Sequence, residues 1–215
     1  VNEGDLQATL GGYIALLAPE VRNGGVIVAD MGTVALASGE AISLNFGDNG
    51  SLAGITATRS QIGALVENRR AVIAPGGLII LSAQAVNQLR GGVVNNSGQL
   101  SANSLTSKGG RIYLAGGDVE LAAGSTTEAT GATGGGEVLV GGDWQGSGDM
   151  PQAIRVTMEQ GASIDVSATD NGDGGKAVLW SDVSRADSLT AAHGTITARG
   201  GAQGGDGGRI ETSGH

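Results

Sequence analysis

The chain has 215 residues, 41 of them Gly and three Pro, with no Cys and with 12 basic against 21 acidic side chains for a formal net charge of −9. The acidic balance, with Arg69 and Arg70 the only adjacent basic residues, argues against a surface that tracks phosphates, because nucleic-acid affinity comes mainly from clustered Lys and Arg. Without Cys there is no disulfide framework, thiol nucleophile or Cys-ligated zinc, and the glycines follow no G-X-Y period that would indicate collagen.

A two-part phrase recurs along the chain. Its first half, N-x-G-x-[VIL]-x-A, reads Asn2, Gly4, Leu6, Ala8, then Asn23, Gly25, Ile27, Ala29, and again Asn96, Gly98, Leu100, Ala102. The second half, G-G-x-[IV]-x-[LVT], reads Gly11, Gly12, Ile14, Leu16, then Gly76, Gly77, Ile79, Leu81, and Gly109, Gly110, Ile112, Leu114. Variants continue through Gly32, Val34, Leu36, through Asn68, Val72, Ala74, and through Gly135–Val140, Gly174–Leu179 and Gly207–Thr212. Apolar residues two apart point to one face of a short strand. Gly supplies the corners, and Asn tolerates left-handed backbone and bonds along a turn or a stacked ladder. Self-similarity at this spacing predicts an all-β, parallel β-helix (β-solenoid), with right-handed winding favoured for parallel crossovers.

The step from Asn2 to Asn23 is 21 residues and that from Asn23 to Asn68 is 45, which reads as one coil followed by two. Coils in the low twenties predict roughly eight to ten turns and a rod on the order of 40 to 50 Å. Ser60–Arg70, with Ile62, Leu65 and Val66, is the best candidate for a helical turn or a loop. Two stretches leave the rhythm and are read as loops near 141–153 and 181–192, the first followed by a strand over Ile154–Met158. Both ends fall inside the repeat phrase, so the chain reads as a piece of a longer polypeptide. Its start, Val1-Asn2-Glu3-Gly4, has no signal-peptide character, and no apolar run is long enough to span a membrane as a helix.

Catalysis on a β-helix calls for carboxyls facing each other across a sugar. The candidate pairs, Asp170 with Asp173 and Asp182 with Asp187, lie in turn-like sequence, so no catalytic residue is assigned and the expected class is non-enzymatic. A groove lined by converging Asp, Lys and Arg on neighbouring coils would favour a polysaccharide-active enzyme instead. His193 falls at a corner and His215 is the last residue, so no metal or cofactor site is assigned. The Asp170–Gly175 and Gly204–Gly208 turns superficially resemble calcium-binding repeats, but they lack the tandem nonapeptide spacing and read as corners. Trp180 reads as outward strand packing and Trp144 as a candidate contact for a receptor or sugar.

The runs Gly11–Phe46, Val93–Ala102 and Ser167–Gly214 resemble large filamentous-haemagglutinin-type exoproteins, the adhesins and effectors exported by two-partner secretion. The resemblance implies that residues 1–53 correspond to the end of the family's secretion domain and 54–215 to the start of its β-helical stem. It also implies an outer-membrane transporter as partner of the full-length protein and secretion to the medium or the cell surface. A receptor or glycan on a host or neighbouring cell is the further partner it points to. The alternatives from other classes are a polysaccharide-active β-helix enzyme and the stem of a contact-dependent toxin-delivery protein.

Overall fold

The computed structural model describes residues 1–48, 50–60, 63–86 and 92–214. In chain order, β1 (Asp5–Ala8), β2 (Tyr13–Leu17) and β3 (Glu20–Asn23) make the first coil, and β4 (Val26–Ala29) and β5 (Thr33–Ser38) open the second. A hairpin, β6 (Ile42–Phe46) and β7 (Leu52–Ala57), interrupts that coil before β8 (Leu65–Asn68) closes it. Then follow β9 (Ala71–Ile73), β10 (Leu78–Ala83) and β11 (Val93–Asn96); β12 (Gln99–Ser101), β13 (Arg111–Ala115) and β14 (Asp118–Leu121); and β15 (Thr126–Glu128), β16 (Glu137–Val140) and β17 (Arg155–Met158). The chain ends with β18 (Ser163–Asp165), β19 (Lys176–Trp180) and β20 (Leu189–Ala192), then β21 (Thr195–Thr197) and β22 (Arg209–Ser213).

The first strands of the coils form one parallel sheet, β1-β4-β9-β12-β15-β18-β21, and the second strands another, β2-β5-β10-β13-β16-β19-β22. The third strands form β3-β8-β11-β14-β17-β20. These are the three faces of a right-handed parallel β-helix. Its coil count differs from the expectation of eight to ten: the sheets hold seven, seven and six strands, hence seven coils among the described residues. At ~4.8 Å per step the first and last coils are about 29 Å apart, shorter than the 40 to 50 Å expected.

The difference has a local cause. Asn23 pairs directly with Asn68, so the 45 residues between them are one coil carrying a hairpin, not two coils. Thr58 and Ala41 close the hairpin's base, with Thr58 N–H donating to Ala41 O at 2.8 Å, and the Thr33 hydroxyl ties β7 down by donating to Leu52 O at 2.7 Å. The chain leaves the coil at Ser38 and re-enters at Leu65, and the Ser38 hydroxyl joins the two ends, donating to Pro19 O and accepting Leu65 N–H at 3.2 Å. Within the Ser60–Arg70 segment Leu65–Asn68 is a rung rather than a helical turn, while Gln61 and Ile62 lie outside the described residues. Residues 189–192, read as part of a loop, are strand β20.

The interior is built from columns of like residues in register. Leu16, Leu36, Leu81, Leu114, Val140 and Leu179 stack along the second sheet, and Val21, Val66, Val94, Val119 and Val156 along the third. From the second to the sixth coil these side chains are all buried, and they form one continuous apolar cluster. Each buried aliphatic side chain contributes about 1.5–3 kcal/mol relative to exposure.

Candidate functional site

Three features of the helix surface arise from the repeat phrase and its interruptions. The first is the corner after the third sheet, where the Asn residues of the phrase turn inward. Asn2 Nδ2 donates to Asn23 Oδ1 at 2.8 Å, Asn23 Nδ2 to Asn68 Oδ1 at 2.9 Å, and Asn68 Nδ2 to Asn96 Oδ1 at 2.8 Å. The spacing to Gly has its own reason, since Asn23 and Asn96 also donate to the carbonyls of Gly25 and Gly98 two residues on. Beyond Asn96 the same register position is Leu121, Met158 and Ala192, so the ladder of four Asn ends with the third coil. Ala192, not His193, holds the Asn position; His193 is the exposed residue after it.

The second feature is the corner between the first and second sheets, occupied by Gly12, Gly32, Gly77, Gly110, Gly136, Gly175 and Gly208. At each of the last six, a Cβ would collide with the carbonyl of the glycine one coil earlier. That carbonyl accepts the N–H of the following residue one coil on, as in Gly77 O with Arg111 N–H and Gly136 O with Lys176 N–H, both at 2.9 Å. The second Gly of the phrase is thus required for close approach rather than for positive φ. Positive φ belongs to the first position, at Gly11 and Gly76, where Met31 takes the same conformation in the second coil (φ 50°).

With no side chains along this corner, a groove runs over it. Two adjoining clefts of ≈ 410 and ≈ 340 Å³ share Lys108, Gly136 and Glu137, and between them they reach Arg111, Lys176, Asp173 and Arg209. Arg111, Glu137, Lys176 and Arg209 are register partners on four successive coils. Lys176 Nζ sits 2.8 Å from both Glu137 Oε2 and Asp143 Oδ1, and Tyr113 donates its hydroxyl to Glu137 Oε1 at 2.7 Å. Burial opposes the charge on Lys176 and Asp143, yet their mutual hydrogen bond and charge outweigh it, with Glu137 adding to the effect at Lys176. The Lys176 pKa is therefore raised and that of Asp143 lowered. Burial, then the hydrogen bond to Glu137, pushes the Tyr113 hydroxyl well above its usual range.

The third feature is the outer face of the second sheet, which is apolar where a solvated strand would be polar. Ala35, Ile80, Leu139 and Val178 all point away from the interior and are nevertheless buried. Two excursions cover them: the β6–β7 hairpin, and the 141–153 segment with a 3₁₀ turn at Trp144–Gly146 capped by Asp143. Leu139, Val178 and Trp180 form a second apolar cluster with Tyr113, Trp144 and Met150 packed against it. Trp180 faces outward and donates Nε1–H to Gln152 Oε1 at 2.9 Å. Trp144 is packed against this cluster, so it fastens the segment to the sheet rather than standing free for a ligand. Between hairpin and segment lies a cleft of ≈ 520 Å³, walled by Ala53–Ala57 of β7 and floored by Ile80, Tyr113 and Leu139.

Two features of the sequence mark this layer. The runs Leu78-Ile79-Ile80-Leu81 and Ala177-Val178-Leu179-Trp180 are apolar at consecutive positions, the mark of strands covered on both faces. Asp48-Asn49-Gly50 between alternating apolar runs marks a hairpin.

Three of the four carboxylate candidates, Asp173, Asp182 and Asp187, are occupied by local bonds. Asp182 and Asp187 line the same polar groove. Asp182 Oδ1 accepts the N–H and hydroxyl of Ser184, however, and Asp187 takes Arg185 in a two-point pair at 3.0 and 2.8 Å. The Arg185 hydrogen bond lowers the Asp187 pKa, away from what a general acid needs. Asp173 Oδ1 accepts Asp206 N–H at 2.7 Å, tying one corner turn to the next. Among the described residues no group of three His, Cys, Asp or Glu side chains is placed to hold a metal ion, and no helix is long and apolar enough to cross a membrane. His215 lies outside the described residues.

No family model and no curated protein matches the chain. Among solved structures it is similar to the crystal structure of the HMW1 secretion domain from Haemophilus influenzae, with a TM-score of 0.61 and 27% sequence identity. The likeness covers 98% of this chain and 59% of that one, so the chain spans about three fifths of the matched domain's length.

Proposed function

We propose that this chain is a β-helical segment of a large bacterial exoprotein exported by two-partner secretion, serving as the structural and display rod of a secreted or surface-exposed adhesin. The observation that carries this reading is the likeness to a secretion domain along 98% of the chain at 27% identity. The geometry supports it in a second way. Each rung takes its backbone bonds from the rung before, so a chain emerging from a pore adds one coil at a time onto a finished template.

In this reading the partner during export is an outer-membrane transporter, and a receptor or glycan on a host or neighbouring cell is engaged by the whole protein. The order of secretion-domain coils (1–53) followed by stem coils (54–215) belongs to the same proposal. Residue 53 lies within β7, and the three sheets run past the hairpin unbroken, so such a division would be one of role rather than of structure. A toxin-delivery stem would use the same rod, with the distinction residing in other parts of the polypeptide.

Co-expression of the full-length protein with and without its transporter tests the proposal. The expected result is recovery outside the cell only when the transporter is present and this segment intact. Equal release without the transporter, or retention in the periplasm with it, overturns the reading.

A further inference from the structure

The chain is acidic overall, yet its corner groove is not. Lys108, Arg111, Lys176 and Arg209 line the two adjoining clefts against two carboxylates, Glu137 and Asp173. Lys176 is committed to Glu137 and Asp143. Lys108, Arg111 and Arg209 are exposed and form no ion pair among the described residues; Arg59, Arg70 and Arg199 are likewise exposed and without one, but only in this groove do three such cations line adjoining clefts. Arg111 and Arg209 stand three coils apart in one register column, a span of about 14 Å at ~4.8 Å per coil. The glycine column supplies only the room; the row of unpaired cations supplies the attraction.

We propose that this groove binds a linear polyanionic polysaccharide laid along the helix axis, its repeating carboxylate or sulfate groups meeting Lys108, Arg111 and Arg209 in turn. A groove with free cations at both ends of a four-coil column, about 14 Å apart, suits an extended polymer that carries an anionic group at each end of that span. No aromatic side chain lines either cleft, so the stacking platform that single-stranded nucleic acids use is missing. Neutral glycans gain nothing from the cations. The inference does not rest on the export reading, since it concerns the folded surface alone.

Binding of the 215-residue chain to polygalacturonate, dextran sulfate, neutral dextran and oligo(dT) tests the site. Polygalacturonate and dextran sulfate separate carboxylate from sulfate as the anion. The expected result is binding to at least one of them at roughly 50 mM salt, weakening steeply as salt rises, with no measurable binding to dextran. The triple variant Lys108→Glu/Arg111→Glu/Arg209→Glu loses about tenfold or more. A control triple carrying the same charge change elsewhere, Arg59→Glu/Arg70→Glu/Arg199→Glu, changes affinity by less than about threefold. If the groove triple unfolds, the milder pair Lys108→Ala/Arg209→Ala replaces it in the same comparison. No preference over dextran, equal loss in groove and control variants, or equally tight binding of oligo(dT) overturns the proposal.

Discussion

Asn68 carries more of the structure than its type suggests, because it is a link in a chain rather than a side chain with one bond. It is buried, accepts from Asn23, and donates to Asn96 Oδ1 and to Gln99 O. Asn68→Ala takes one hydrogen bond each from Asn23 Nδ2, Asn96 Oδ1 and Gln99 O, at about 0.5–1.5 kcal/mol for each bond lost. The expected loss by denaturant unfolding is about 2–4 kcal/mol, whereas Asn2→Ala, at the ladder's more exposed end, costs about 1 kcal/mol or less. Thr127 presents the opposite case. It interrupts an aliphatic column between Leu100 and Ile164, fully buried, with its hydroxyl unpartnered. Thr127→Val is expected to raise stability by about 1 kcal/mol, read as a higher midpoint at unchanged slope. The glycines separate by position in the same way. Gly110→Ala drives a methyl into Gly77 O and is expected to cost about 3 kcal/mol or more, while at Gly207 the nearest atom to a new Cβ is 3.8 Å away. Gly207→Ala is expected to be neutral or slightly stabilising; equal effects at the two glycines would show that the corner does not stack as described.

At the scale of elements, alternation in the sequence located the rungs, because the inside of a narrow tube accepts only small aliphatic side chains at every second position. It did not distinguish a rung from a hairpin strand. Ile42, Leu44 and Phe46 alternate as a rung does, and only the turn residues after them and the 45-residue step betray the excursion. The outer layer on the second sheet was less legible still, since Trp144 and Trp180 gain their meaning from each other and from Leu139 and Val178 across 36 residues of chain. The Lys176–Asp143 pair helps fasten that layer, and its titration has a defined sign. Asp143 is held below the usual 3.8, so its contribution is present above that pH and is lost as pH falls through the lowered value. Lys176 is raised above 10.5, so its contribution is present below that pH and is lost as pH rises through the raised value. Tryptophan fluorescence is expected to stay constant between these limits and to shift towards solvent exposure below pH 3.8. In Asp143→Asn that acid transition should be absent; its persistence unchanged in this variant would show that the segment is held by packing alone.

At the scale of the molecule the account rests on one claim: among the described residues seven coils stack in a single register, with the hairpin and the 141–153 segment laid on the outside. Everything proposed about export, display and the corner groove uses that register. The contested step is the second coil, where 45 residues make one turn. Arg22 and Glu67 are direct partners across it, and neighbouring parallel strands lie ~4.8 Å apart, inside the range a disulfide spans. Asn95 stands one coil further on, about 9.6 Å from Arg22 and out of disulfide reach. The chain has no native Cys to interfere. The direct measurement is disulfide formation under mild oxidation in Arg22→Cys/Glu67→Cys and in Arg22→Cys/Asn95→Cys, read by thiol titration of the folded protein. The account predicts a closed disulfide in the first and two free thiols in the second. Free thiols in the first pair, or bridging in the second, would contradict it.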